Sequence, residues 1–341
     1  MKRLFALALL GSVILAACGA STDPKSVTLT LGAYSTPQDD YAKIIPLFQT
    51  YWQHQQPGQN VTFKQSYQGS GAQARAIING FEADVAALSV ASDIDKIKSA
   101  GLITHDWTAT PTKGFVYDSV VAFAVRKGNP KGIHDWADLA KPGIQILTPD
   151  AKSSGGAQWA MLALYGAALR GEITGVAKND PAAAKTFLTA VLKNVKAFDK
   201  DAQTSITNFD NGVGDVAITY ESSVLQGQKA GKQIDLVVPT STILIQNPVA
   251  VVDTYVKKHG TEKVADAFVS FLTTPQAQQV FADDGQRVLD TTIAQQTASQ
   301  HPTVQDLWDI SFLGGWKSVS TQIFGTSGVY PQALADAQQG K

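Results

Sequence analysis

Residues 27–88 contain alternating strand-like and helix-like segments: VTLTLGA (27–33), DDYAKIIPLFQTYWQ (39–53), VTFKQ (61–65), AQARAIINGF (72–81) and VAAL (85–88). The first and third segments are rich in Val and Thr, as half-buried strands are. In the second segment apolar side chains recur at helical spacing between Ile44 and Tyr51. The order β–α–β–α–β predicts an α/β fold with mostly parallel sheets.

A second α/β unit follows between two long extended runs, VYDSVVAFAVR at 116–126 and NPVAVV at 247–252. We predict that the chain leaves a first lobe, builds a second lobe and returns. Two crossovers of this kind make a hinge and leave a cleft between the lobes. The predicted division is 27–117 and 248–341 for lobe I, and 118–247 for lobe II.

The length of 341 residues is enough for about two domains. Lys and Arg number 28 against 29 Asp and Glu, so the chain lacks the basic excess typical of nucleic-acid binding. The 44% hydrophobic content argues against a disordered chain. A single cysteine excludes an internal disulfide and a cysteine-based zinc site.

That cysteine, Cys18, follows the segment MKRLFALALLGSVILAA at residues 1–17. Two basic residues and a short apolar run are typical of a signal peptide, and the run is too short to span a membrane. The end of the segment, LAACG, resembles the bacterial lipobox, in which the cysteine is lipidated after cleavage. The alternative is an ordinary Ala-x-Ala cleavage site with an incidental cysteine. We predict a lipoprotein signal peptide at 1–17, a tether at 18–26 and a location outside the cytoplasmic membrane.

Three strand-to-helix junctions share small and polar residues: QSYQGSGA (65–72), TPDAKSSGGA (148–157) and DKDAQTS (199–205). Each junction opens a helix, whose first backbone N–H groups lack intrahelical partners and can hold an anion. Such loops lie at the carboxyl ends of the strands, where open α/β sheets bind ligands. The alternative is that Ser70 and Ser154 only cap their helices.

An enzymatic function finds little support in the sequence. Ser70 lacks the glycine two residues earlier that the Gly-x-Ser-x-Gly motif requires, because residue 68 is glutamine. The chain has no phosphate-loop motif and no His-x-x-x-His pair. We therefore expect no catalysis, no cofactor and no metal.

Several segments together resemble the periplasmic sulfate-binding proteins of ABC importers, a type II solute-binding family. The segments that carry this resemblance are QSYQGSG (65–71), INGFEADV (78–85), VRKGNPK (125–131), IHDWADL (133–139), KPG (141–143), SSGGAQW (153–159), GDV (214–216) and GGW (314–316). The resemblance covers nearly all of the chain after the tether.

The resemblance implies a dehydrated oxyanion in the cleft, held by neutral donors. Carried over to this sequence, Ser70 donates its backbone N–H and its hydroxyl, and Ser154 donates its hydroxyl. Backbone N–H groups come from Ser35, Gly155, Gly156 and Ala202. Tyr220 stands where the family has a tryptophan, whose indole only donates. A tyrosine hydroxyl can also accept, which could relax the selection against hydrogen phosphate.

The prediction from the sequence is thus a monomeric receptor that captures sulfate and delivers it to an ABC permease. The alternatives are another tetrahedral oxyanion (thiosulfate, molybdate or phosphate) or, more remotely, an extracellular ester hydrolase.

Overall fold

The chain forms an α/β structure whose central sheet runs through both halves of the sequence; a computed structural model describes residues 26–339. The predicted signal peptide, Cys18 and the tether up to residue 25 lie outside the described residues. The first half-sheet and its helices are β1 (Ser26–Tyr34), α1 (Gln38–Gln55), β2 (Asn60–Gln68), α2 (Ser70–Ile78), β3 (Val85–Ala87) and α3 (Ala91–Ser99).

The second half begins with the long strand β4 and contains two of the three loops of interest. Its elements are β4 (Phe115–Arg126), α4 (Trp136–Leu139), β5 (Ile146–Pro149), α5 (Gly155–Arg170), α6 (Pro181–Lys193), β6 (Val195–Asp199), α7 (Ala202–Asp210), β7 (Val216–Tyr220), α8 (Glu221–Lys229) and β8 (Ile234–Val237).

A second long strand, β9, brings the chain back to the first half-sheet. The remaining elements are β9 (Ser241–Val251), α9 (Asp253–His259), α10 (Glu262–Phe271), α11 (Pro275–Asp283), α12 (Thr291–Thr297), β10 (Asp306–Trp308), α13 (Gly315–Gln322) and α14 (Val329–Gln339), with 3-10 turns at Ala298–Gln300 and Ile310–Leu313.

The strands are ordered β2-β1-β3-β9-β4-β7-β5-β6. The outer pairs β1–β2, β1–β3, β5–β6 and β5–β7 are parallel, whereas β4 and β9 pair antiparallel at the centre. The mostly parallel α/β fold predicted from the sequence is therefore confirmed. The antiparallel centre arises because β4 leaves the first half-sheet and β9 returns beside it, in opposite directions.

Separate apolar cores lie on the two sides of the long strands. On one side, Phe48 of α1 packs against Phe268 and Phe271 of α10, with ring centroids 5.0 and 5.6 Å apart. On the other, α5 is buried along nearly its whole length, because α6 and β9 cover it. This is why α5 carries an almost continuous apolar sequence rather than an amphipathic one.

A two-lobe molecule with a double crossover needs an apolar core in each lobe, and the cores on the two sides of β4 and β9 meet this requirement. The last helix, α14, packs against α6 of the second half, although the sequence prediction assigned residues 248–341 to lobe I. The lobe boundaries themselves stay a prediction. Between residues 26 and 339, no helix has the length and apolarity to cross a bilayer.

Candidate functional site

The three loops singled out in the sequence meet at one place. The amide of Ala72 in α2 donates to the carbonyl of Ser153 at 3.1 Å, and the Ser153 hydroxyl donates to the carbonyl of Lys200 at 2.8 Å. A Cβ built on Gly69 would lie 2.5 Å from the Ser153 carbonyl oxygen. Gly69 is therefore needed for the close approach, which brings the N-terminal ends of α2, α5 and α7 together.

The start of α5 presents unused backbone donors. Ser154 is the N-cap, and its hydroxyl oxygen accepts from the amide of Ala157 at 3.4 Å. Within the described part of the chain, the amides of Gly155 and Gly156 have no hydrogen-bond acceptor. These two N–H groups and the positive end of the α5 dipole can together hold an anion.

Both glycines at the start of α5 face buried hydroxyl-bearing side chains. A Cβ on Gly155 would come within 2.8 Å of Ser89 Oγ and 3.0 Å of Ser70 Cβ. A Cβ on Gly156 would come within 2.9 Å of Tyr220 Cε2 and 3.1 Å of its hydroxyl. Glycine at these positions leaves room for the side chains of the opposite lobe and of β7.

The Ser70 hydroxyl has a different partner from the one expected. It donates to Asp93 Oδ2 at 2.7 Å and accepts from the amide of Ser89 at 3.1 Å. A hydroxyl has one hydrogen, so in this arrangement Ser70 can offer an anion only its backbone N–H. Asp93 is fully buried, and Lys96 Nζ compensates its charge at 2.7 Å.

Ala202 and Ser35 are the remaining residues of the predicted set, Ser35 in the first half of the molecule and Ala202 in the second. Asp201 caps α7, with Oδ1 accepting from the Thr204 amide and hydroxyl, each at 2.8 Å. This keeps the Asp201 carboxylate engaged within its own helix and leaves the Ala202 amide without an acceptor among the described residues. Ser35 follows β1 and lines, together with Asp201, a cavity of about 220 Å³.

Tyr220 ends β7 with a fully buried side chain. Its hydroxyl lies 2.7 Å from Ser89 Oγ, and its ring centroid lies 6.0 Å from that of Tyr34. Burial raises the pKa of the Tyr220 phenol, although the hydrogen bond to Ser89 acts in the opposite direction. The phenol therefore stays neutral and can both donate and accept.

Ser89 is the residue of this site that the sequence prediction missed. It is fully buried in the loop after β3, and its carbonyl accepts from Trp159 Nε1 at 2.9 Å. Its amide contacts Ser70 and its hydroxyl contacts Tyr220, so one residue bonds to both halves of the molecule. Its position at the carboxyl end of a short parallel strand is the signal that could have identified it.

Ser70, Gly155, Gly156 and Tyr220 thus lie close together around Ser89, and Ser154 caps the same helix start, without a lysine or arginine among these residues. The placement of Ser35 and Ala202 in the same site stays a prediction. A cationic side chain that crosses the cleft is Arg75, whose Nη1 donates to the carbonyl of Lys152 at 2.8 Å. Within residues 26–339, histidines and acidic residues form no group of three or more that could hold a metal ion. The geometry suits a small anion held by backbone and hydroxyl donors.

Comparisons with known proteins agree with this geometry. The sequence matches the family described as bacterial extracellular solute-binding protein over residues 29–287. It is 43% identical to a sulfate-binding protein of Synechococcus elongatus, covering 95% of this chain and 93% of that protein. A thiosulfate-binding protein of Escherichia coli is 34% identical, with 96% of each chain covered.

Among solved structures, the chain resembles the sulfate-binding protein SubI of Mycobacterium tuberculosis. The TM-score is 0.80 at 37% identity, and the match covers 87% of this chain and 99% of that one. The similarity therefore extends over both halves of the sheet.

Proposed function

The chain belongs to the family of bacterial extracellular solute-binding proteins, and we propose that it captures sulfate between its two lobes and delivers it to an ABC importer. The observation that carries the proposal is the meeting of three helix N-termini, from α2, α5 and α7, around buried neutral donors. Such donors can hold a fully ionised tetrahedral dianion without a counter-ion.

The proposed ligand shell contains the backbone N–H groups of Ser35, Ser70, Gly155, Gly156 and Ala202, with the hydroxyls of Ser154 and Tyr220. All seven residues were predicted from the sequence. The relatives named as sulfate-binding proteins support sulfate over thiosulfate, because the thiosulfate-binding relative is less similar.

The affinity of such a site is limited by the size of the ligand. Sulfate has five non-hydrogen atoms, and the best small ligands gain about 1.5 kcal/mol per atom. The resulting limit of about −7.5 kcal/mol corresponds to a dissociation constant in the micromolar range. A receptor that must also release its ligand to a permease can function with this affinity.

Isothermal titration calorimetry of the purified protein at neutral pH tests the proposal. We expect sulfate to bind with a micromolar dissociation constant and more tightly than thiosulfate, molybdate or phosphate. If one of those three anions bound more tightly than sulfate, that anion would be the ligand in place of sulfate. If none of the four anions bound, the oxyanion site would be rejected.

We also propose that the protein catalyses no reaction. The described histidines near carboxylates are His105 with Asp253, His259 with Asp84 and His301 with Glu221. None of these pairs contacts Ser70, Ser89 or Ser154, so no histidine can serve these serines as a general base. Asp93, which accepts from the Ser70 hydroxyl, is paired with Lys96. Turnover of a chromogenic sulfate or phosphate ester would contradict this.

A lipid anchor at Cys18 is the proposed means of attachment outside the cytoplasmic membrane, with the receptor acting as a monomer. We expect the wild type to partition into the detergent phase of Triton X-114 and Cys18→Ala to remain in the aqueous phase. Mass spectrometry of the mature N-terminus should give a diacylglyceryl-cysteine at residue 18. An unmodified N-terminus would favour the ordinary cleavage site.

A further inference from the structure

The hydroxyls of Ser89 and Tyr220 form a buried pair inside the proposed anion site. Ser89 Oγ and the Tyr220 hydroxyl oxygen are 2.7 Å apart, and either atom can be the donor. Neither hydroxyl has another hydrogen-bond partner among the described residues. The pair faces the start of α5, with Ser89 Oγ against Gly155 and the phenol against Gly156.

Two hydroxyls bonded to each other keep one hydrogen free, and the direction of their bond decides which oxygen carries it. When Ser89 donates to Tyr220, the phenol hydrogen is free for a fully ionised oxyanion. When Tyr220 donates to Ser89, the phenol oxygen can accept a hydrogen and the serine hydrogen becomes free. The pair can therefore offer a ligand either the phenol hydrogen as a donor, or the serine hydrogen as a donor together with the phenol oxygen as an acceptor.

We propose that Ser89 is a specificity-determining residue, which lets Tyr220 accept the hydrogen of a singly protonated tetrahedral dianion such as hydrogen phosphate. This inference rests on the proposed function, because it concerns the same anion site. Sulfate remains the better ligand, since it needs only donors and every other member of the shell donates.

Without the serine hydroxyl, the phenol loses the acceptor for its own hydrogen. It can still donate to sulfate. If the phenol oxygen accepted the hydrogen of hydrogen phosphate, however, the phenol's own hydrogen would be buried without an acceptor. This is unfavourable in a site closed to water. Removal of Ser89 Oγ should therefore act against the protonated anion and spare sulfate.

The experiment measures sulfate and phosphate affinities by competition calorimetry at pH 8, where inorganic phosphate is mainly hydrogen phosphate. We expect the wild type to bind both anions and Ser89→Ala to weaken phosphate by about tenfold or more, with sulfate changed by less than about threefold. Tyr220→Trp, which leaves a donor only, should produce the same selective loss. If Ser89→Ala fails to fold, Tyr220→Trp decides the outcome.

The matched control is Ser222→Ala, because Ser222 is fully buried close to Tyr220 and its hydroxyl has no partner among the described residues. Both affinities should stay at the wild-type level in this variant. An equal loss of both anions in Ser89→Ala would give Ser89 a merely structural role and overturn the inference. Sulfate binding without any phosphate competition would also overturn it, while the proposed function stands; binding of neither anion would reject the proposed function itself.

Discussion

The two glycines at the start of α5 lie in close contact with the side chains of the site. Gly156 is the second residue of its helix, and its missing side chain leaves space for the ring of Tyr220. Gly71 has the same position in α2, but there a Cβ would make ordinary contacts at 3.4–3.5 Å. Glycine at the second helical position therefore provides needed space in α5, whereas a side chain at the same position of α2 would fit.

Gly156→Ala is expected to weaken sulfate binding by at least about tenfold, because a Cβ 2.9 Å from Tyr220 Cε2 must displace the ring or the helix start. Calorimetry gives the affinity, and a thermal melt checks that the fold is kept. Gly71→Ala is the matched control and should bind within about threefold of wild type. Equal affinities for the two variants would contradict the placement of Gly156 in the site.

Among single residues, the sequence predicted the role of those whose hydrogen-bonding groups depend only on neighbours along the chain. Ser154, Gly155 and Gly156 lie together in a recognisable helix start, so the pattern alone predicts that the first amides of this helix lack intrahelical acceptors. The partner of the Ser70 hydroxyl, Asp93, could not be predicted. It lies 23 residues further along the chain, and only the packing of α2 against α3 brings the two side chains together.

At the scale of elements, most strands and the long apolar helices were predicted, whereas the short polar helices α3 and α8 were not. The predicted strand at 116–126 corresponds to Phe115–Arg126, and the predicted helical segment at 39–53 corresponds to Gln38–Gln55. Helices α3 and α8 carry short polar sequences, ASDIDKIKS and ESSVLQGQK, with too few apolar residues to mark a helical face. Tertiary contacts hold such helices in place more than their own pattern does.

The hinge strand β4 contains a buried carboxyl group at the crossover. The backbone of Asp118 bonds to that of Arg287 in both directions, at 2.6 and 2.9 Å, and Asp118 Oδ1 is buried without a partner in the described structure. Burial raises the pKa of Asp118 to about 7, while the charge of Arg287 acts in the opposite direction. The carboxyl group is therefore protonated in the folded protein below that pH.

The pH dependence of stability follows from this raised pKa. In the unfolded chain an aspartate titrates near pH 4, so between about pH 4 and 7 the folded state holds a proton that the unfolded state has released. The contribution of Asp118 to the free energy of unfolding thus falls as pH rises through this window and is constant above it. Asp118→Asn cannot ionise and should gain up to about 4 kcal/mol relative to wild type between pH 4 and pH 8.

Urea denaturation of both proteins at the two pH values measures this difference. Asp235→Asn serves as the control, because Asp235 on β8 accepts hydrogen bonds from Lys127 and the Gly128 amide, which hold the pKa of its carboxyl below the usual value. Relative to wild type, Asp235→Asn should therefore lose a little stability, rather than gain it, as pH rises from 4 to 8. An Asp118→Asn difference that does not vary with pH would show that the carboxyl group is ionised in the folded protein throughout.

At the scale of the whole molecule, the contacts across the cleft come from groups that also line it. Ser89 bonds to Trp159 and Tyr220, and the Ala72 amide bonds to Ser153. Outside this inner set, Arg287 bonds to the fully buried Glu221 through both guanidinium donors, at 2.7 and 2.8 Å. We therefore expect lobe closure to depend on these polar contacts, which can exchange with water when the lobes separate.

Arg75 allows the closed arrangement to be weakened without altering the proposed ligand shell. Its guanidinium group is exposed and reaches the Lys152 carbonyl across the cleft, so we expect this hydrogen bond to break when the lobes separate. One exposed bond of this kind contributes about 0.5–1 kcal/mol. Arg75→Ala should therefore lower sulfate affinity by about threefold, mainly through faster dissociation. Stopped-flow fluorescence of Trp159, which lies against Ser89, can follow the release.

A change in long-range attraction of the anion is the competing explanation, because Arg75→Ala also removes a positive charge. Lys98→Ala removes the same charge from an exposed position on α3 in the same half of the molecule. If steering alone is responsible, the two variants should slow association alike and leave dissociation unchanged. If closure is responsible, only Arg75→Ala should accelerate dissociation, and the ratio of the two dissociation rates then measures how much this contact stabilises the closed form.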